Sequence, residues 1–239
     1  MSKKKWYLIG TAAWLLFFTM TANCLAQVIG NGQVIKEERK LSGFKSISVG
    51  NAIHLQIRQG SDEKVTVETD ENILPYLKTE VSGGELQIGL KGNVRNSTAL
   101  NVYVTVQQLV ELESSSAARV TSEGKIESSE FHLSSGSGSA VILELSCGNL
   151  KVDMSSGSAL KLSGSVKTIS VDGSSGSALA ASDLLAEKGD AEASSGAAII
   201  LHITKELKAR VSSGAVVTVS GNPKIRDTDS SSGGSVHFK

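Results

Sequence analysis

Ser155-Ser156-Gly157-Ser158-Ala159-Leu160-Lys161-Leu162-Ser163-Gly164 decides the fold. It joins a phrase of small residues to a short run of period-2 alternation, then breaks at Ser-Gly. The phrase recurs as Ser114-Ser115-Ser116-Ala117, Ser137-Gly138-Ser139-Ala140, Ser174-Ser175-Gly176-Ser177-Ala178, Ser194-Ser195-Gly196-Ala197-Ala198, Ser212-Ser213-Gly214-Ala215 and Ser231-Ser232-Gly233-Gly234. Aligned on residues 116, 138, 157, 176, 196, 214 and 233, the copies step by 22, 19, 19, 20, 18 and 19 residues. So narrow a spacing marks a stacked repeat.

Each unit holds about two short strands. Val141-Ile142-Leu143-Glu144-Leu145, Ala159-Leu160-Lys161-Leu162, Ile199-Ile200-Leu201-His202-Ile203 and Val216-Val217-Thr218-Val219 alternate with period 2. After a Gly, Asn or Ser break comes a second run, such as Leu150-Lys151-Val152-Asp153 or Thr168-Ile169-Ser170-Val171. Asp183 to Lys188 is the one helical-looking stretch, a single turn long. A two-strand unit cannot bury both of its faces alone, so stacking must do it. Coils then pair as parallel strands ~4.8 Å apart, and seven of them make a rod of roughly 30 Å. Leu160 is expected above Val141, and Leu162 above Leu143. The pattern predicts an all-β parallel β-helix, or solenoid, of about 19 residues per coil over residues 114–239.

The corners are assigned to Ser115, Ser116, Gly138, Ser156, Gly157, Ser175, Gly176, Ser195, Gly196, Ser213, Gly214, Ser232 and Gly233. Glycine turns there without steric cost, and serine satisfies corner backbone groups. The stacked serines are expected to form a hydrogen-bonded ladder. A display array for ice, glycan or mineral is the functional alternative, but no regular Thr-x-Thr face of the kind ice would favour is present.

Residues 27–113 repeat the theme less regularly. Lys45-Ser46-Ile47-Ser48-Val49, Ile53-His54-Leu55-Gln56-Ile57 and Val65-Thr66-Val67-Glu68 read as strands, and Leu100 to Val106 is the longest. Gly50-Asn51-Ala52-Ile53 stands where Ser-Ser-Gly stands later. Irregular coils with insertions near 60–63, 70–78 and 91–98 are expected. A separate small β-domain ending near Val110 is the alternative.

Residues 1–26 read as a secretory signal peptide. Lys3, Lys4 and Lys5 precede an uncharged run from Trp6 to Thr21, and Cys24-Leu25-Ala26 places small residues before a cut at Gln27. The run is about 16 residues, short of the ~20 that span a bilayer, so cleavage is favoured over a retained transmembrane helix. No transmembrane anchor is expected afterwards. Lipidation at Cys24 is a further alternative, although Thr21-Ala22-Asn23 lacks the usual pattern.

Composition excludes several classes. Lys+Arg and Asp+Glu both number 24, and the leader removes three lysines, leaving 21 against 24 and a net charge of −3. The basic excess of a nucleic-acid binder is missing. Two Pro exclude collagen and Pro-rich linkers. At 40% apolar residues and no net charge, the chain is not disordered by composition. Cys147 alone survives the leader, so no intramolecular disulfide forms; it reads as a small buried hydrophobe.

A resemblance joins these pieces. Gly30-Asn31-Gly32-Gln33-Val34, Leu41-Ser42-Gly43-Phe44-Lys45-Ser46-Ile47, Gly50-Asn51-Ala52-Ile53, Asp70-Glu71-Asn72-Ile73-Leu74-Pro75-Tyr76 and the Ser-Ser-Gly-Ser-Ala phrases occur in order. Together they resemble the head GIN domain family, exported bacterial proteins labelled auto-transporter adhesins, from about residue 30 to 239. The resemblance implies a right-handed β-helix and an envelope location: periplasm, outer-membrane surface or outside the cell. It carries over no catalytic residues.

The residues themselves point the same way. His54, His132, His202 and His237 are far apart, without metal-ligand spacing, and read as outer-face strand residues. No nucleophile elbow, phosphate loop or His-Glu-x-x-His is present. Asp153 and Asp172 fall late in consecutive units, and Asp190, Asp227 and Asp229 late in others; such a column could hold calcium or act on sugars. They are equally ordinary turn and exposed-strand residues. No catalytic, cofactor or metal residue is therefore assigned. The expected function is a non-enzymatic, adhesin-like or scaffolding protein that binds a surface, glycan or protein partner. The alternative is a polysaccharide-active lyase or hydrolase. Open solenoid ends would allow self-association.

Overall fold

The structure, a computed structural model, describes residues 27–239. The leader, its expected cleavage after Ala26 and the Cys24 alternative lie outside the described residues.

The strands run β1 (Val28–Ile29), β2 (Val34–Arg39), β3 (Ser46–Val49), β4 (His54–Gln59), β5 (Lys64–Asp70), β6 (Leu77–Ser82), β7 (Glu85–Leu90), β8 (Val94–Asn96) and β9 (Leu100–Val106). They continue through β10 (Glu111–Ser114), β11 (Arg119–Ser135), β12 (Ala140–Met154), β13 (Ala159–Gly173), β14 (Ala178–Ala193), β15 (Ala198–Val211), β16 (Val216–Ser220), β17 (Ile225–Ser230) and β18 (Ser235–Phe238). From β10 onward the coils stack in parallel, about seven turns at about 19 residues, forming a β-solenoid.

β11 to β15 are 14 to 17 residues long, against ~5–6 for an ordinary strand. Each runs around two bends of its coil while keeping its ladder. Burial marks the bends. In β13, Leu160, Leu162, Val166, Ile169 and Val171 point inward, and the successive outward pair Lys167 and Thr168 marks the second bend. Leu160 lies on Val141 and Leu162 on Leu143, as the alternation predicts. Each fully buried Leu or Val in such a column contributes roughly 1.5–3 kcal/mol. One hydrophobic core runs from Phe44 to Val219.

Three sequence expectations change. Asp183 to Lys188 is strand, inside β14, with Leu184 and Ala186 facing the core. A lone helical turn cannot compete with parallel ladders on both sides. The uneven 20 and 18 steps arise here, because the register slips at this bend against both neighbours. In the first copy, Ala117 takes the glycine position. Its N–H meets Ser137 as that of Gly138 meets Ser156, both at 3.0 Å, so that step runs from 117 to 138 and is 21 residues. The N-terminal region is not parallel throughout. β3, β4 and β7 join the parallel stack, but β2, β5 and β6 pair antiparallel and close that end. The two-residue turn Gly83-Gly84 joins the antiparallel neighbours β6 and β7, whereas a parallel return needs a dozen or more residues.

The other end closes by composition. In β17, Arg226, Thr228 and Ser230 continue the columns of Leu207, Ala209 and Val211, so the inward column turns polar in the last coil. The Arg226 guanidinium sits 4.2 Å from the centre of the Phe238 ring.

Candidate binding groove

The corner serines and glycines lie at turn tips. Ser156 and Gly157 both adopt left-handed backbone, with φ of 50° and 70°. The Ser158 N–H donates to the Ser155 carbonyl at 3.1 Å. Two consecutive positive-φ residues closed in this way follow the type I′ pattern. Ser137–Gly138, Ser175–Gly176, Ser195–Gly196, Ser213–Gly214 and Ser232–Gly233 repeat it, Ser116 is followed by Ala117, and Ser115 opens that first turn. Asn51 and Ala52 form the same turn in the N-terminal half.

At the turn tips the ladder is made by backbone; serine hydroxyls bond one another only beneath the tips, at the first two coils. Gly157 N–H donates to Ser175 O at 3.1 Å, and the same bond recurs coil after coil. A left-handed residue at the tip turns its side chain to water, so Ser156 and its equivalents are exposed. The buried serines at the corner are Ser114 and Ser135 before the turn and Ser139, Ser158 and Ser177 after it; the Ser114, Ser135 and Ser139 hydroxyls bond one another at 2.8–3.2 Å. Ser158 Oγ donates to Ser135 O at 3.0 Å, and Ser177 Oγ to Met154 O at 3.3 Å.

Asp153, Asp172 and Glu192 stack as consecutive members of one outward column, followed by Arg210 and Asp229. Asp190 and Asp227 belong to the neighbouring column, with Lys208 between them. Asp153 Oδ2 is held by Lys151 Nζ at 2.7 Å and His132 Nε2 at 2.6 Å. Burial pushes the Asp153 carboxyl up, but hydrogen bonds from Lys151 and His132 outweigh it and hold the group below the usual carboxylate range. Sugar hydrolysis needs a general acid pushed the other way. Glu68, Asp70, Glu80 and Glu187 are likewise lowered. Among the described residues, no three His, Cys, Asp or Glu side chains gather as a metal-ligand set. Burial raises the Cys147 thiol to about 11, which leaves it a poor nucleophile.

Beside the carboxylate column runs an open groove of about 880 Å³, within the ~300–1,000 Å³ typical of ligand sites. It follows the second bend across five coils. One wall stacks Glu130, Asn149, Thr168, Lys188 and Glu206; the other stacks His132, Lys151, Ser170, Asp190 and Lys208. Phe131, Leu150, Ile169 and Gly189 form the floor. Four coil steps of ~4.8 Å make it roughly 19 Å long. Thr168 Oγ1 donates to Asn149 Oδ1 at 2.6 Å, and Lys188 Nζ pairs with Glu206 at 2.8 Å.

Sequence reading does not single out this groove. Its residues recur with the coil period, which is the available signal, but their types vary from coil to coil. On another face, Ile142, Ile200 and Val216 point outward, 48%, 39% and 36% exposed, among Ala140, Ala159, Ala178 and Ala198. Among the described residues no helix is long and apolar enough to cross a membrane.

A protein-family model described as "Putative auto-transporter adhesin, head GIN domain" matches residues 43–223. No curated protein matches the sequence. A "putative adhesin" from Bacteroides fragilis shares the fold at a TM-score of 0.84 and 17% identity, over 89% of this chain and 100% of that one. Another from Parabacteroides merdae matches at 0.75 and 17%, over 89% and 99%. A structure described as a "putative lipid binding protein" from Parabacteroides distasonis matches at 0.74 and 20%, over 89% and 99%.

Proposed function

The chain belongs to the head GIN domain family, and from that premise we propose an exported, non-enzymatic, adhesin-like solenoid of the bacterial cell envelope that holds its partner along the five-coil groove. The groove is the observation that carries this reading. It is open, elongated and lined by outward polar side chains on a continuous parallel sheet. The lowered Asp153 carboxyl argues against polysaccharide cleavage by the neighbouring column. The partner is a surface, glycan or protein; the capped ends still leave β6 and β18 as edge strands with one neighbour each, which are candidates for self-association.

A second reading has its own observation. The exposed Ile142, Ile200 and Val216 face suits contact with lipid, the class printed for one fold relative.

One experiment separates them. The protein is applied to arrays of glycans and matrix proteins and to phosphatidylcholine liposomes. Retention of at least one array ligand is expected, weakened about tenfold or more when Thr168→Arg and Ser170→Arg fill the groove, which is roughly a hot-spot effect. A silent array, or retention unchanged by the double variant, overturns the groove reading. Liposome binding abolished by Ile142→Glu and Ile200→Glu supports the lipid reading instead.

A further inference from the structure

We propose that the groove takes a neutral glycan, an uncharged polyhydroxyl chain laid along the solenoid axis. The inference rests on the groove being the binding site and specifies its ligand.

Charge comes first. The walls carry Lys151, Lys188 and Lys208 against Glu130, Asp190 and Glu206. These are interspersed and partly paired: Lys188 to Glu206 at 2.8 Å, and Lys208 to Asp190 at 3.9 Å. A polyanion or polycation would meet as many opposing charges as attractive ones, so the groove offers no field to steer either. An uncharged chain incurs no such repulsion.

The backbone narrows the choice further. Strand segments across the groove are paired in parallel with the coils on either side. No row of free N–H and C=O groups faces the ligand, so an extended peptide cannot add as a strand, the mode that gives peptides main-chain affinity. Recognition falls to side chains. At mid-groove these are Asn149, Thr168 and Ser170, an amide and two hydroxyls. Each both donates and accepts, which complements sugar hydroxyls that do the same. Charged groups at the groove ends add donors and acceptors without net charge.

Repetition sets the ligand's length. Equivalent wall positions recur every ~4.8 Å, so a polymer repeating its hydroxyls along the axis meets a polar side chain at each coil, although the donor or acceptor differs from one coil to the next. Phe131 is 2% exposed and offers no stacking platform. Affinity must therefore accumulate from hydrogen bonds over several units.

The test titrates the protein with cello-, xylo- and manno-oligosaccharides of increasing length, beside polygalacturonate, heparin and polylysine, at low and high salt. At least one neutral series should bind, tighten with length until it spans the ~19 Å groove, and hold its affinity in high salt. Asn149→Ala with Ser170→Ala should weaken it about tenfold, the scale of two hydrogen bonds. Silence across the neutral series overturns the proposal. If a charged polymer or a protein binds instead and the Thr168→Arg/Ser170→Arg variant abolishes it, the glycan assignment falls while the groove stands. If that double variant leaves every binding event intact, both fall.

Discussion

Two glycines separate the demands of the two corner types. Gly157 sits at a turn tip with φ of 70° and nothing within 4 Å of an added Cβ, and Ala117 already occupies the equivalent tip at φ of 61°. Gly164, at the next bend, has φ of 108°, and an added Cβ would lie 2.0 Å from the Leu145 carbonyl oxygen. That oxygen belongs to the neighbouring coil's ladder and has nowhere to go. Gly157→Ala should therefore cost about 1 kcal/mol, the low end of left-handed strain, and Gly164→Ala about 3 kcal/mol or more. Urea unfolding of both variants checks the order; equal costs would refute it. The repeated phrase draws the eye to Gly157, whereas the stricter position is Gly164, matched at Gly221, where φ is 90° and an added Cβ would lie 2.5 Å from the Ile203 carbonyl oxygen. Nothing in the sequence ranks them, because the clash partner lies 19 residues away.

Among the elements, the N-terminal end depends on one carboxylate. Asp70, at the end of β5, is fully buried. It accepts N–H bonds from Gly32 and Thr98, both at 2.7 Å, and so ties the segments around β1 and β8 to the stack. Burial pushes this carboxyl up, but backbone bonds from Thr98 and Gly32 outweigh it and hold it below the ordinary range. A depressed folded value means the contribution is present above the unfolded value of about 3.9 and is lost as pH falls through the folded one. Acid should therefore loosen this end below about pH 4. Asp70→Asn removes one charged acceptor, should cost about 1.5–3 kcal/mol near neutrality, and should flatten the acid limb. Hydrogen exchange at Gly32 and Thr98 reads this directly, and an unchanged acid limb would refute it. The Asp70-Glu71-Asn72 phrase is legible as part of a family resemblance; its role as a staple comes from contacts 38 and 28 residues away.

At the scale of the whole molecule, stability is divided among coils that touch only their neighbours. β12 and β13 keep one register from Ala140–Ala159 to Met154–Gly173. Deleting residues 157–175 removes one coil and joins Ser156 to Gly176, restoring the corner phrase. The shortened protein should keep its β circular dichroism and one cooperative transition at a lower midpoint. It should also lose the mid-groove Thr168 and Ser170. Deleting only residues 157–166 leaves half a coil, breaks every inward column beyond it and should prevent folding. If both deletions fold equally well, the coil is not the unit of stability.

By itself the sequence determined the coil period, the inward alternation and the stacking of Leu160 on Val141, because these follow from local chemistry repeated along the chain. It also marked the turn tips, since few residues accept two successive positive φ angles. Only the tertiary structure decided that backbone carries the ladder at the turn tips while serine hydroxyls bond one another beneath them at Ser114, Ser135 and Ser139, and that β2, β5 and β6 close the end antiparallel. It alone assembled the groove. Asn149, Thr168 and Lys188 become neighbours through coil stacking, and their differing side chains leave no mark in the repeat.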